Sequence, residues 1–245
     1  ELTETGITAR AHAWVPGCLE LSGTGELTAL SAFREGRFLV QDPAASLVAQ
    51  AAGIAPGQRV LDVCAAPGGK SFSAAFAMEN QGSVTACDLH ENKLVRIRQG
   101  AERLGISCIA TAAADGRNFC PEWEKAFDTV LVDAPCSGLG IIRKKPDVRY
   151  KKADDLFALP VIQSAILDNA ARYVKPGGVL VYSTCTILPE ENQQITDAFL
   201  AEHPDFAREN MSLPLPVGKV EGQMTFWPQR HETDGFYICR MKRQA

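Results

Sequence analysis

The sequence predicts an α/β protein, a mostly parallel, twisted sheet with helices on both faces. Three observations carry that expectation. From about residue 57, short β-branched runs alternate with amphipathic stretches, the pattern of strands joined by crossover helices. Leu94, Ile97, Ala101 and Leu104 recur at spacings of three and four before Gly105, which gives one buried helical face and its stop signal. The strand candidates run into acidic, small or thiol residues, and open α/β sheets bind ligands beyond the carboxyl ends of their strands.

Taken in order, residues 1–42 carry Gly6, Gly17, Gly23, Gly25 and Gly36 without helical periodicity, and are expected to be a small β-containing N-terminal subdomain left from a longer region. Residues 43–245 form the main domain. A helix over Ala44 to Ala52 leads in. Strands are expected at Arg59 to Val63, Ser83 to Cys87, Cys108 to Ala112, Thr129 to Val132 and Gly178 to Ser183. Helices are expected at Ser71 to Met78, Glu91 to Leu104, Asp154 to Val174 and Glu190 to Leu200, with Pro160 dividing the long one or marking a start inside it. Leu213 to Gly222 reads as a loop, and Phe236 to Met241 as an antiparallel strand at or near the sheet edge.

With 245 residues, 46% apolar and 22% charged, the chain can bury a substantial core, which excludes a disordered tail or a small disulfide knot. No apolar run approaches the ~18 to 20 residues of a membrane span, and the amino end lacks the plan of a signal peptide. A soluble, cytoplasmic monomer is expected, with no membrane partner. Opening on Glu1, it reads as processed or as a fragment. The eight cysteines lie in apolar runs with no C-x-x-C, and the four histidines complete no zinc set, so reduced thiols and no metal are expected.

The first strand runs into Asp62-Val63-Cys64-Ala65-Ala66-Pro67-Gly68-Gly69-Lys70, a small-residue turn at a helix start, where a ligand can approach backbone N–H groups. Asp88 follows the second strand about twenty residues on, the separation of a ribose-binding carboxylate. Asp115-Gly116 follows the third. Together they suggest an adenosine-like cofactor. A P-loop is the rival, since Gly69-Lys70-Ser71 matches its tail, but Cys64 stands at its first glycine and Pro67 lacks an N–H. The fourth strand runs into Asp133-Ala134-Pro135-Cys136-Ser137-Gly138, and the fifth into Ser183-Thr184-Cys185-Thr186 followed by Pro189-Glu190-Glu191-Asn192. A single such cysteine is ordinarily inert core; two at corresponding strand ends, one near an acid, suggest nucleophilic chemistry. The residues do not choose between the two thiols.

The net charge of −4 gives no global reason to bind nucleic acid. Arg143, Lys144, Lys145, Arg149, Lys151 and Lys152 against Asp147 form a local basic run, either a solvated loop or a phosphate contact.

These motifs, with Gln41-Asp42-Pro43-Ala44 and His231 to Tyr237, resemble the S-adenosylmethionine-dependent RNA cytosine-5 methyltransferases, which include bacterial Fmu/RsmB small-subunit rRNA enzymes and eukaryotic Nop2/Sun proteins. The resemblance spans roughly Gly36 to Arg243 and rests on the ordered set. It implies a Rossmann-like, class I methyltransferase fold and S-adenosyl-L-methionine as cofactor, held by Cys64, Ala65, Ala66, Pro67, Gly68, Gly69, Lys70, Asp88 on the ribose, Asp115 on the adenine and Asp133. It implies Cys185 as nucleophile, Cys136 in product release, and Asp133 and Lys70 beside them. RNA is the implied partner, most naturally 16S rRNA, with tRNA or large-subunit rRNA as alternatives, and Arg143, Lys144, Lys145 and Arg149 become its expected contacts. The amino-terminal helical domain of the bacterial enzymes, similar to the antitermination factor NusB, is absent from this sequence.

Overall fold

The computed structural model describes Leu2, residues 6–151 and residues 157–245. Its centre is a sheet whose parallel part is formed by β3 (Arg59–Asp62), β4 (Ser83–Asp88), β5 (Ile109–Ala113), β6 (Phe127–Asp133) and β7 (Val174–Thr184). Spatially the parallel strands run β7-β6-β3-β4-β5, so the chain moves outward from β3 in one direction and then returns to its other side. That reversal opens a crevice between the carboxyl ends of β3 and β6, the place where such sheets take ligands. This is the Rossmann-like, doubly wound strand order that the sequence predicts.

Beyond β7 the sheet turns antiparallel. β12 (Phe236–Arg243) pairs with β7, while β11 (Gln223–Phe226) and β8 (Phe206–Arg208) both pair with β12. The last strand is thus antiparallel as expected, and one position in from the edge.

Alternation along β6 divides the core. Leu131 packs on one face with Leu47, Val48, Ala51, Ala74 and Met78, whereas Val130 and Val132 pack on the other with Ile166, Leu167, Ala170 and Phe199. The first group comes from α2 (Pro43–Ser46), α3 (Val48–Ala52) and α4 (Gly69–Ala77), with Leu47 and Met78 at helix ends. The second comes from α6 (Leu159–Ala171) and α7 (Gln193–Glu202). Leu94, Ile97 and Ala101 of α5 (Glu91–Arg103) are buried against Phe72 and Ala86, as their spacing predicts.

Several boundaries move for local reasons. The lead-in helix divides at Leu47, and Asp42 caps its first part by accepting the Ala44 N–H at 3.0 Å. Of the two readings of Pro160, the start is realised: Pro160 sits in the first turn of α6, where its missing N–H costs nothing, and residues 154–156 of the expected helix lie outside the described residues. Val174 ends that helix early by joining β7. Within 213–222, β10 (Lys219–Val220) pairs with β9 (Met211–Ser212), so the expected loop closes a short ribbon.

The N-terminal stretch contains a two-stranded antiparallel sheet, β1 (Thr8–Ala11) with β2 (Leu19–Ser22). It leans on the main domain through Trp14, whose indole donates to the His231 carbonyl at 2.8 Å and stacks on Phe226 at 6.2 Å. A second anchor is Arg103, which lies 4.0 Å over the Phe33 ring and donates to the Phe33 carbonyl. Gly36 is required there, because a Cβ would come within 1.8 Å of the Arg103 carbonyl oxygen.

Candidate active site

The turn after β3 is built for close approach. Ala65 N–H donates to the Cys87 carbonyl at 2.6 Å, tying the turn to β4, and Gly68, with φ +113°, opens α4 in a conformation that side-chain-bearing residues rarely adopt. A Cβ on Gly68 would come within 2.5 Å of the Phe72 ring. The first N–H groups of α4 have no partner within the helix, which suits them to polar groups of a ligand. Burial pushes the Cys64 thiol far above the usual range, which disfavours its thiolate.

Asp62 at the end of β3 is fully buried; it accepts the Ser71 hydroxyl at 2.7 Å, and its other oxygen has no partner among the described residues. Burial raises its carboxyl to about 6. Sequence reading placed Asp62 in the motif but gave it no role. Asp88, at the end of β4, is nearly buried and accepts the His90 N–H at 3.0 Å, with Lys93 3.4 Å away. Asp115 lies at the third strand end and grips Arg117 through both oxygens. That bidentate pair, helped by the Arg117 N–H, lowers the Asp115 carboxyl.

Across the switch point, Asp133 accepts Lys70 Nζ at 2.6 Å and the Ser183 hydroxyl at 2.9 Å. Lys70 stays charged: burial opposes its proton, but Asp133 holds its pKa above the ordinary value. Its ammonium also lies 5.2 Å from the centre of the Phe236 ring. Beside this pair the two expected thiols meet, with Cys136 Sγ 3.3 Å from Cys185 Sγ. The hydrogen bond from Cys136, aided by Lys70, lowers the Cys185 thiol, while the same bond and burial raise that of Cys136.

Glycines bring the loops this close. A Cβ on Gly140 would lie 1.9 Å from the Gly235 carbonyl oxygen, and the Gly140 N–H donates to the Cys185 carbonyl at 3.0 Å.

The sequence model of the 16S rRNA methyltransferase RsmB/F family matches residues 50–242. This chain belongs to that family. Its RsmB/F membership agrees with 44% identity over 228 residues to a probable ribosomal RNA small subunit methyltransferase B of Bacillus subtilis (strain 168), covering 90% of this chain and 51% of the relative. Among solved structures, PH0851 superposes with a TM-score of 0.92 at 36% identity, over 99% of this chain and 55% of that one. NSun6 from Pyrococcus horikoshii, solved with SFG, superposes with a TM-score of 0.78 at 28% identity, over 90% of this chain and 56% of that one. The chain thus spans about half the length of the relatives it matches. S-adenosylmethionine is the cofactor of this methyltransferase family.

For this RsmB/F member, part of the basic run is paired within the fold. Lys144 bonds Asp234 at 2.8 Å and Asp42 at 2.9 Å, and Arg143 reaches Asp234 at 3.3 Å. Those two cations, each about half exposed, hold the loop after β6 against Asp42 and Asp234. Lys151 donates to the Ser137 carbonyl at 2.8 Å. Among the described residues Lys145 and Arg149 form no ion pair, and Lys152 lies outside them. The P-loop alternative loses its lysine, since Lys70 is committed to Asp133. Among the described residues no helix is long and apolar enough to cross a membrane.

Proposed function

We propose that residues 43–245 are the catalytic domain of an enzyme that methylates carbon 5 of a cytosine in RNA, with small-subunit rRNA as substrate, and that residues 1–42 end a preceding region. The observation that carries this reading is the pair of thiols 3.3 Å apart beside the Lys70–Asp133 ion pair. Methylation of oxygen or of an amino group needs no thiol. Carbon 5 of cytosine is a poor nucleophile, and covalent addition is what activates it.

S-adenosylmethionine would supply an electrophilic methyl group. The residues fit it: the unpartnered, buried Asp62 oxygen and the nearly buried Asp88 carboxylate sit at adjacent strand ends beside the glycine turn. Cys64 to Lys70 would line its amino-acid part with Asp133, Asp88 would take the ribose hydroxyls, and Asp115 the adenine amino group.

In the reaction the Cys185 thiolate adds to carbon 6 of the base, and the displaced π electrons move toward N3. There the Lys70–Asp133 pair supplies a hydrogen bond and a proton. Both Asp133 oxygens accept in the resting state, so the proton comes from the pair and not from a free carboxylic acid. Carbon 5, now enamine-like, is nucleophilic enough to accept the methyl group that S-adenosylmethionine would supply, its sulfur keeping the bonding pair and leaving as the thioether S-adenosylhomocysteine. A water that the Cys136 thiol orients takes the carbon 5 proton, N3 returns its proton to the Lys70–Asp133 pair, and breaking the carbon 6–sulfur bond returns Cys185. A base within a duplex cannot present both faces to these groups, so the target nucleotide is flipped or single-stranded. Lys145 and Arg149 would contact its backbone.

The deciding experiment is transfer of labelled methyl from S-adenosylmethionine to cellular RNA, followed by mapping of the product. Label at carbon 5 of cytosine in small-subunit rRNA is the expected result. Label on another atom would overturn the chemistry, and label on tRNA or large-subunit rRNA would overturn the substrate.

A further inference from the structure

For the thiols to meet, two loops must be held together. Cys136 follows β6 and Cys185 follows β7, and three contacts besides the Gly140–Cys185 hydrogen bond join these loops. The hydroxyls of Ser137 and Thr186 lie 2.7 Å apart. The Ser137 N–H donates to Glu191 Oε2 at 2.8 Å. Gln163, on α6, donates through one amide nitrogen to that same oxygen at 2.8 Å and to the Pro135 carbonyl at 3.0 Å. The peptide groups on either side of Cys136 are therefore held by one glutamate and one glutamine.

Glu191 is 1% exposed and Gln163 is fully buried. Interring a carboxylate is costly, and apolar packing would join two loops at less expense. The network is also unsaturated: Glu191 Oε1 and Gln163 Oε1 are buried without partners among the described residues. A purely structural polar cluster tends to be complete, and unsatisfied buried atoms call for an explanation. Tyr182 fixes the glutamate from behind by donating its hydroxyl to the Glu191 carbonyl at 2.7 Å.

We propose that Glu191, braced by Gln163, is a positioning residue that fixes the Cys136 thiol within hydrogen-bond reach of Cys185. This rests on the reading of Cys185 as nucleophile and Cys136 as its partner. Cys136 is the largest influence that lowers the Cys185 thiol, so the clamp governs how readily the nucleophile ionises.

The test is the pH profile of Cys185 alkylation by iodoacetamide, read by peptide mass spectrometry on the full chain. Glu191→Ala and Gln163→Met should each move the midpoint upward by about one pH unit, a tenfold loss of thiolate below it. Cys136→Ala should show the same shift. Glu191→Gln keeps an oxygen for the Ser137 N–H and should retain the wild-type midpoint. A wild-type midpoint in folded Glu191→Ala overturns the proposal. Should that variant lose its cooperative melting transition, Gln163→Met decides in the same way. Covalent enzyme–RNA complexes run in parallel separate the two readings: if Cys136→Ala traps none, the assigned thiol roles fail, while the alkylation profile still decides the clamp.

Discussion

Lys144 and Asp234 are bonded at 2.8 Å although ninety residues separate them in the chain. With Asp42 they tie the loop after β6 to the turn before β12 and to the cap of α2. The Asp42 and Asp234 side chains are 9% and 4% exposed, whereas the Lys144 side chain is 48% exposed. The cation therefore neutralises two acids that water reaches poorly, and that division of labour separates Lys144 from its neighbours.

Lys144→Ala should lower stability by about 1 to 3 kcal/mol, a figure discounted for the half-exposed ammonium, because it leaves two carboxylates facing each other. The double variant Lys145→Ala with Arg149→Ala should leave melting unchanged, weaken RNA binding and flatten its salt dependence by roughly 0.7 per lost contact to a single strand. An unaltered salt slope returns the segment to a solvated loop.

The same region shows where sequence reading stops. The parallel strands were legible because each is a local β-branched run, and α5 because its apolar period is local. Asp88, Asp115, Asp133 and both cysteines were legible because the architecture fixes what a strand end means. The partners of Arg143 and Lys144 were not, since Asp42 and Asp234 reach them only through the tertiary fold. Gln163 was hidden for a related reason: on a helix with one buried face it reads as a lapse in the apolar pattern, and only its contact with Glu191 explains it. A polar residue at a core position of a predicted helix was the one available signal.

Asp88→Ala should weaken S-adenosylmethionine binding on the order of 10- to 100-fold, the loss of one charge-assisted hydrogen bond of roughly 1.5 to 3 kcal/mol. Titration calorimetry measures it. Asp88 is nearly buried at a strand end, so little water is available to replace the contact. Unchanged affinity would remove the adenosine assignment of this site.

Asp62 makes stability depend on pH with a defined sign. Its folded carboxyl is raised to about 6 from an ordinary 3.8, so between those values the folded chain holds a proton that the unfolded chain has lost. The stabilisation is complete below about pH 4 and disappears as pH rises through about 6. Asp62→Asn cannot titrate but keeps an oxygen for the Ser71 hydroxyl. The unfolding free energy of the wild type relative to Asp62→Asn should therefore fall by up to about 3 kcal/mol from pH 4 to pH 7. A difference that stays flat over this range contradicts the buried, partly protonated state.

The two thiols should fail at different stages. The hydrogen bond between the two sulfurs, aided by Lys70, lowers the Cys185 thiol, while the same bond and burial raise that of Cys136, so Cys185 is the sulfur that ionises more readily. Without Cys185 no addition to carbon 6 can begin, and Cys185→Ala should yield neither methylated RNA nor a covalent complex. Cys136→Ala retains the nucleophile beside Lys70, so addition and methyl transfer should proceed, though with a less acidic thiol and hence more slowly at neutral pH. What it lacks is the group that orients the water taking the carbon 5 proton, and enzyme joined to RNA should accumulate on a denaturing gel. The contrast follows from the order of steps and not from their rates, so modest damage to a partly buried site does not obscure it. Trapping by Cys185→Ala, with no adduct in Cys136→Ala, would reverse the roles and make the raised thiol the nucleophile.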